Sequence, residues 1–268
     1  MLNRNSIQLH PYHIVSVSPW PLLTSFTLLN LTVGGVLCFH GALYGNLAVS
    51  LGFISTAIAI AIWFRDVASE GTYLGAHTLP VQSGLSWGFY LFVLTEVIFF
   101  VSLFWAYLHS ALSPTVELGS QWPPVGVSAI EPFTLPLLNT FLLLGSGASV
   151  TYSHHALLGG DRRGAILGLI ITILLALLFT ACQALEYYSC EYTIVDSVYG
   201  SSFFLATGFH GLHIIIGTCF LCTCLWRLIS YQHTQQHHLG TEIGILYWHL
   251  VDVVWLILFA LIYVWASL

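Results

Sequence analysis

Charged residues are almost absent from long stretches of the chain, and the gaps between them set the elements. No Asp, Glu, Lys or Arg occurs between Arg4 and Arg65. That stretch is too long for one bilayer span, and His40-Gly41 and Gly45-Asn46 interrupt it, so it predicts two helices, 20–39 and 45–64, joined by a short hairpin. Further apolar runs predict helices at 83–108, 133–153, 165–186, 201–226 and 243–266, seven spans in all. The longest polar connection follows the third run, where Pro114, Pro123 and Pro124 forbid a continuous helix.

Composition agrees with that reading. Of 268 residues, 57% are hydrophobic and only 6% charged, which excludes an ordinary water-soluble domain and implies an all-α polytopic membrane protein. All five cations are arginine. The lack of lysine excludes Schiff-base chemistry, and the scarcity of cations excludes a basic surface for nucleic acid. With the N-terminus on side one and the spans alternating, Arg4, Arg65, Arg162, Arg163 and Arg227 all fall on side one. The positive-inside rule then names side one as the compartment of synthesis, the reverse of a seven-helix receptor with its N-terminus outside. Side two receives Glu117, Glu131, Glu191 and Asp196. Trp20, Trp63, Trp122, Trp226, Trp248 and Trp265 stand near predicted span ends and read as interfacial anchors. The first residues, MLNRNSIQLHPYHI, resemble neither a transit peptide nor a cleavable signal.

A carboxylate at the centre of a membrane helix costs about 2.5–3.5 kcal/mol on insertion scales, so each one needs a reason. Glu96 lies deep in the third run, and two readings stand beside one another. It is either a proton-exchange or packing site, protonated at rest, or one end of an interhelical hydrogen bond. A second group comprises Gln183 and Glu186, His210 and His213, and His249 and Asp252, each pair spaced i, i+3. Such ligands could hold a metal or clamp a haem. Depth separates Glu186 from Asp252 by roughly 20 Å along the membrane normal, so a buried polar network of His210, His213, His249 and Asp252 is the preferred reading. His77, His154, His155, His233, His237 and His238 gather with the arginines on side one, suited to phosphate oxygens or simply wet. Gly41 and Gly45, and Gly145 and Gly147, permit close helix approach. The six cysteines, Cys219, Cys222 and Cys224 among them, read as small apolar residues rather than a metal motif.

Several ordered segments then resemble a known family: HPYHIVSVSPWP at 10–21, RDVASEGTYLGAHT at 65–78, and TEVIFFVSLFWAYLHSALSPTVELGSQWPP at 95–124. LPLLNTFLLLGSG, GDRRG, QALEYY, YGSSFFLATGFHGLHIIIG and WHLVDVVWLILF continue the match. Along essentially its whole length the chain is similar to the subunit III family of mitochondrial cytochrome c oxidase, the haem–copper oxidases of respiratory complex IV. The resemblance implies seven transmembrane helices in a V, with 1–80 carrying helices 1–2 and 81–268 forming a bundle of helices 3–7. It implies a non-catalytic core subunit that supports proton uptake while electrons pass from cytochrome c to oxygen. Haem a, haem a3 and copper would reside in partner subunits I and II, and this chain would hold bound phospholipids and no metal. Subunit I is the main expected contact, with subunit II, small accessory subunits and other respiratory complexes in supercomplexes beside it. The expected location is the mitochondrial inner membrane, N-terminus in the matrix and C-terminus in the intermembrane space. Carried over position by position, Trp63, Phe64, Glu70, His77, Arg227 and His237 would bind lipid, and Glu96 matches the family's buried glutamate. The chain departs from animal relatives at Ser69 and Gln232, where arginine and histidine are familiar. Two competitors remain: a stand-alone proton-coupled transporter using Glu96 and Asp252, and a quinol oxidase subunit, which commonly lacks the first helix pair.

Overall fold

A computed structural model describes residues 9–267. Among these residues the protein is all-α, with no strand. The long helices are α1 (Trp20–Phe39), α2 (Gly45–Thr72), α3 (Leu79–Leu112), α4 (Leu135–Leu158), α5 (Arg162–Ser189), α6 (Val198–Ile229) and α7 (Leu239–Leu258). A π-helical stretch, Phe259–Val264, and a last turn, Trp265–Ser267, prolong α7. Six of these helices are long and apolar enough to cross a membrane. The seventh, α4, is more polar because it turns Asn139, Thr140, Ser146 and Ser153 into the protein interior rather than toward lipid. The protein is a polytopic membrane protein.

Several helices outrun the expected spans. α2 ends at Thr72 rather than 64 and α6 at Ile229 rather than 226, so Arg65, Glu70 and Arg227 stand on helices and not in loops. The apolar run marks where lipid ends. The helix continues into the headgroup region because arginine, alanine and glutamate favour it and water there satisfies their charges.

The chain divides into two compact units, residues 1–85 and 86–268. In the first, α1 and α2 form a hairpin whose buried positions are few: Thr24 and Gly34 on α1, and Gly45, Gly52, Thr56 and Ala59 on α2. Its closeness rests on absent side chains. A Cβ on Gly52 would lie 2.6 Å from Leu31 Cα, and one on Gly34 would lie 2.7 Å from Val49 N. Gly45 shares this role, but Gly41 does not. It faces open space at φ 67° and serves the turn, together with Tyr44 at φ 66°. Toward the opposite end, Trp20 Nε1 donates to Asp66 Oδ2 at 2.6 Å, and Thr78 Oγ1 donates to the Pro11 carbonyl at 2.6 Å.

The second unit holds a continuous core. Trp248, Trp255, Tyr107, Tyr199, Tyr263, Phe179 and Phe203 are its largest buried side chains. Trp248 is therefore no interfacial anchor: it is fully buried, and its indole N–H donates to Ser146 Oγ at 2.9 Å, while Trp255 Nε1 donates to Thr140 Oγ1 at 3.0 Å. Small and hydroxylated residues close α4 on α5. Ser153 Oγ donates to the Ala165 carbonyl at 2.7 Å, Ser149 and Thr172 hydroxyls share a 2.7 Å bond, and a Cβ on Gly168 would meet Ser153 at 2.7 Å. This is the packing mode of helices in lipid, where close contact and interhelical hydrogen bonds replace the hydrophobic drive.

Candidate functional site

Glu96 sits near the midpoint of the 34-residue α3. Its Oε2 lies 2.8 Å from His213 Nε2 on α6, and both side chains are largely buried. The tautomer follows from the other ring nitrogen. His213 Nδ1 lies 2.7 Å from the Phe209 carbonyl, which can only accept, so Nδ1 carries hydrogen. A neutral ring then turns a lone pair at the carboxylate, and the 2.8 Å contact is attractive only when one further proton lies between Nε2 and Oε2. Whichever atom holds that proton, the pair is neutral overall, the state a low-dielectric interior favours. Phe99 and Phe100 pack against the His213 ring and wall the pair with apolar surface.

His210 looks elsewhere. Its Nε2 lies 3.2 Å from the Val251 carbonyl on α7, and its ring packs against Phe179 and Trp255. Positions i and i+3 differ by about 60° around a helix axis, enough for α6 to present His210 to α7 and His213 to α3. On α7, His249 Nδ1 stands 3.8 Å from Asp252 Oδ2, and its Nε2 stands 3.3 Å from Thr151 Oγ1 on α4. The Asp252 carboxylate occupies the space that a side chain at Gly147 would fill: a Cβ there would lie 2.6 Å from Oδ2. The expected single network of His210, His213, His249 and Asp252 is thus three separate bridges: α6 to α3, α6 to α7, and α7 to α4. The spacing put the histidines on nearly one face; the neighbouring helices divide them.

Glu186 belongs to the opposite end of the unit. Tyr263 O–H donates to its Oε1 at 2.6 Å and Gln183 Nε2 donates to the same oxygen at 3.3 Å. The π-helical stretch carries Tyr263, whose wider turn rotates the side chain inward. Glu186 lines a cavity of about 280 Å³ with Ser128, Glu191 and Tyr192. Burial holds the Tyr192 phenol, on the α5–α6 connection, far above its ordinary pKa, so it stays neutral. Tyr263, Thr151 and Gly147 were not among the expected site residues. Tyr263 reads as one more aromatic near a span end, and only the small Gly147 carried a signal.

At the other end of the unit, loop and helix ends gather by direct contact. Arg162 Nη2 donates to the Leu228 and Ile229 carbonyls at 3.0 and 2.8 Å, capping α6 from α5, and its guanidinium covers the Tyr231 ring at 3.7 Å. Arg227 Nε donates to Gln232 Oε1 at 3.3 Å, and Gly240 leaves room for its guanidinium. His237 N donates to Thr234 Oγ1 at 3.0 Å, closing the turn before α7. Burial, aided by the Arg227 charge, pushes the His233 imidazole down to about 3, which keeps it neutral. In the first unit Trp63 and Phe64 stand partly exposed on the apolar surface of α2. Glu70 and His77 lie together at its end, joined by His13: one ligand atom from each falls within 4.8 Å of the others.

The family model described as cytochrome c oxidase subunit III matches residues 10–267. The chain belongs to that family. Similar proteins include cytochrome c oxidase subunit 3 of Mycosarcoma maydis, 56% identical over 99% of this chain and 98% of the relative. The subunit 3 of Emericella nidulans is 55% identical over 98% of each chain, and that of Neurospora crassa 54% over 99% of each. Membership in the cytochrome c oxidase subunit III family makes the chain part of a respiratory oxidoreductase complex with other subunits, and its membrane-spanning helices fit a multi-pass inner-membrane protein.

Proposed function

We propose that the chain is a non-catalytic, lipid-binding core subunit of the oxidase that stabilises subunit I and supports proton uptake. One observation carries the reading. At membrane depth Glu96 and His213 are turned onto one another between α3 and α6, so the pair serves as a bridge with a shared proton. A scaffold that must stay neutral in lipid while keeping protons at hand would be built this way. The redox chemistry, with haem a, haem a3 and copper, belongs on this reading to subunits I and II. Electrons from cytochrome c reach oxygen there. Subunit II and small accessory subunits complete the surroundings, and other respiratory complexes are further neighbours. The N-terminus lies in the matrix, on the side where Arg65, Arg162, Arg163 and Arg227 stand.

Lipid headgroups are the expected partners of Arg227, His237, Glu70 and His77, with Trp63 and Phe64 against acyl chains. The half-buried guanidinium and imidazoles offer donors to phosphate, and Glu70 offers an acceptor to an ammonium headgroup. The test is the phospholipid retained by the purified complex, counted by native mass spectrometry, in Arg227→Ala and Glu70→Gln variants. The expected result is fewer lipids per complex, an unchanged initial rate of cytochrome c oxidation and faster loss of activity during turnover. Unchanged lipid content in both variants would contradict the lipid assignment.

A further inference from the structure

A second group of ionisable side chains lies apart from the Glu96–His213 pair, where the end of α4 meets the start of α7. His154 comes from the last turns of α4, His238 precedes α7, and Glu242 stands in its first turn. One ligand atom from each lies within 4.8 Å of the other two. The His154 and His238 rings meet edge to face, 5.8 Å between centroids.

Two ring nitrogens of this group are buried without a hydrogen-bond partner. His238 is 5% exposed, and its Nδ1 lies 3.0 Å from the Thr234 carbonyl, so Nδ1 carries the hydrogen and Nε2 the lone pair. That nitrogen lies 3.2 Å from Glu242 Oε1 without making a hydrogen bond to it. Two such acceptors this close repel unless a positive charge lies between them. Nε2 of His154, also buried, has no hydrogen-bond partner. A lone proton would satisfy His238 and Glu242 and leave His154 idle, whereas a divalent ion would engage all three.

We propose that His154, His238 and Glu242 form a three-ligand site for a divalent transition metal of the zinc class. Two imidazoles and one carboxylate are a zinc donor set, with a fourth position left for water. Zn–N and Zn–O bonds of about 2.0–2.1 Å in a tetrahedron place ligand atoms about 3.3 Å apart, and the His238–Glu242 separation of 3.2 Å matches such an edge. His154 completes the set by a small closure of α4 on α7. His238 Nδ1 is already oriented by a backbone carbonyl, the outer hydrogen bond that zinc-binding histidines use. Glu242 is about half exposed, so the ion has a path from water. Bound there, it would clamp the end of α4 to the start of α7.

The test uses the purified oxidase complex and zinc alone. Equilibrium dialysis at micromolar free zinc, followed by elemental analysis, should show wild type binding one zinc per complex more than His154→Ala or His238→Ala. Glu242→Gln should weaken that site at least tenfold. Metal bound by other subunits cancels in the difference. Equal zinc content in wild type and both histidine variants would overturn the proposal and leave a proton between His238 and Glu242. Should a variant fail to assemble, the wild-type complex decides: zinc should protect His154 and His238 from diethylpyrocarbonate, read peptide by peptide. Unprotected histidines at saturating zinc would overturn it equally.

Discussion

The α1–α2 hairpin and α7 are both apolar enough to cross a membrane, yet they use their surfaces in opposite ways. On α1 only Thr24 and Gly34 are buried, and Phe26, Leu29 and Val36 face outward. On α7 Ile245, Trp248, Val251, Val254, Trp255 and Leu258 are buried together. Hydropathy therefore tells where a helix resides and not what it packs against. The hairpin is held by backbone meeting backbone at glycines. The five-helix unit is held by large rings and by hydrogen bonds from indoles and imidazoles to neighbouring helices. A chain in lipid needs both devices, since burying an apolar side chain against another gains little over burying it in acyl tails.

The largest predicted contrast sets Trp248→Ala against Phe53→Ala. Trp248 is fully buried and Phe53 is 65% exposed on α2. The first should cost about 3–5 kcal/mol through the cavity it leaves, the second less than about 0.5 kcal/mol. Resistance of the subunit to unfolding within the complex, followed by thermal inactivation and protease nicking, would separate them. The hairpin should fail in a different way. Gly52→Leu should lose about 1–3 kcal/mol by forcing α1 from α2, whereas Gly35→Leu should be silent, because nothing lies within 4 Å of a Cβ at Gly35. Cysteine cross-linking between the two helices reads that separation directly. A smaller effect is expected at Thr140→Val, which keeps the side-chain shape and removes the acceptor of the Trp255 indole, about 0.6–1.7 kcal/mol.

The Glu96–His213 bridge sharpens the contrast at the level of single protons. Glu96→Gln keeps a hydrogen-bonding partner for His213, while Glu96→Ala leaves a buried imidazole nitrogen unsatisfied, a penalty of about 1–3 kcal/mol. The alanine variant should therefore be the less stable in the same thermal assay. Glutamine should instead slow proton uptake while leaving stability close to wild type.

The seven helices were legible because scarce charges fall in the gaps between apolar runs. Their ends were not, because Arg65 and Arg227 prolong helices that apolar patterning alone would have stopped. Glu96 and His213 each drew attention by depth, but 117 positions separate them and only packing joins them. Asp252 was legible as a buried acid, whereas its seat against Gly147 depended on the absence of a side chain on another helix. Trp248 shows the converse error. A tryptophan near a span end has the composition of an interface anchor, and α7 extends past it in both directions and carries it into the core.

The central claim is that this chain supplies structure, lipid and proton environment to an oxidase whose redox centres lie in other subunits. Metal and haem analysis of the complex before and after selective removal of the chain tests it most directly. The account predicts that the remaining complex keeps its full iron and copper and its initial turnover, but inactivates sooner and takes up protons more slowly. Iron or copper leaving in one-to-one proportion with the chain would contradict it.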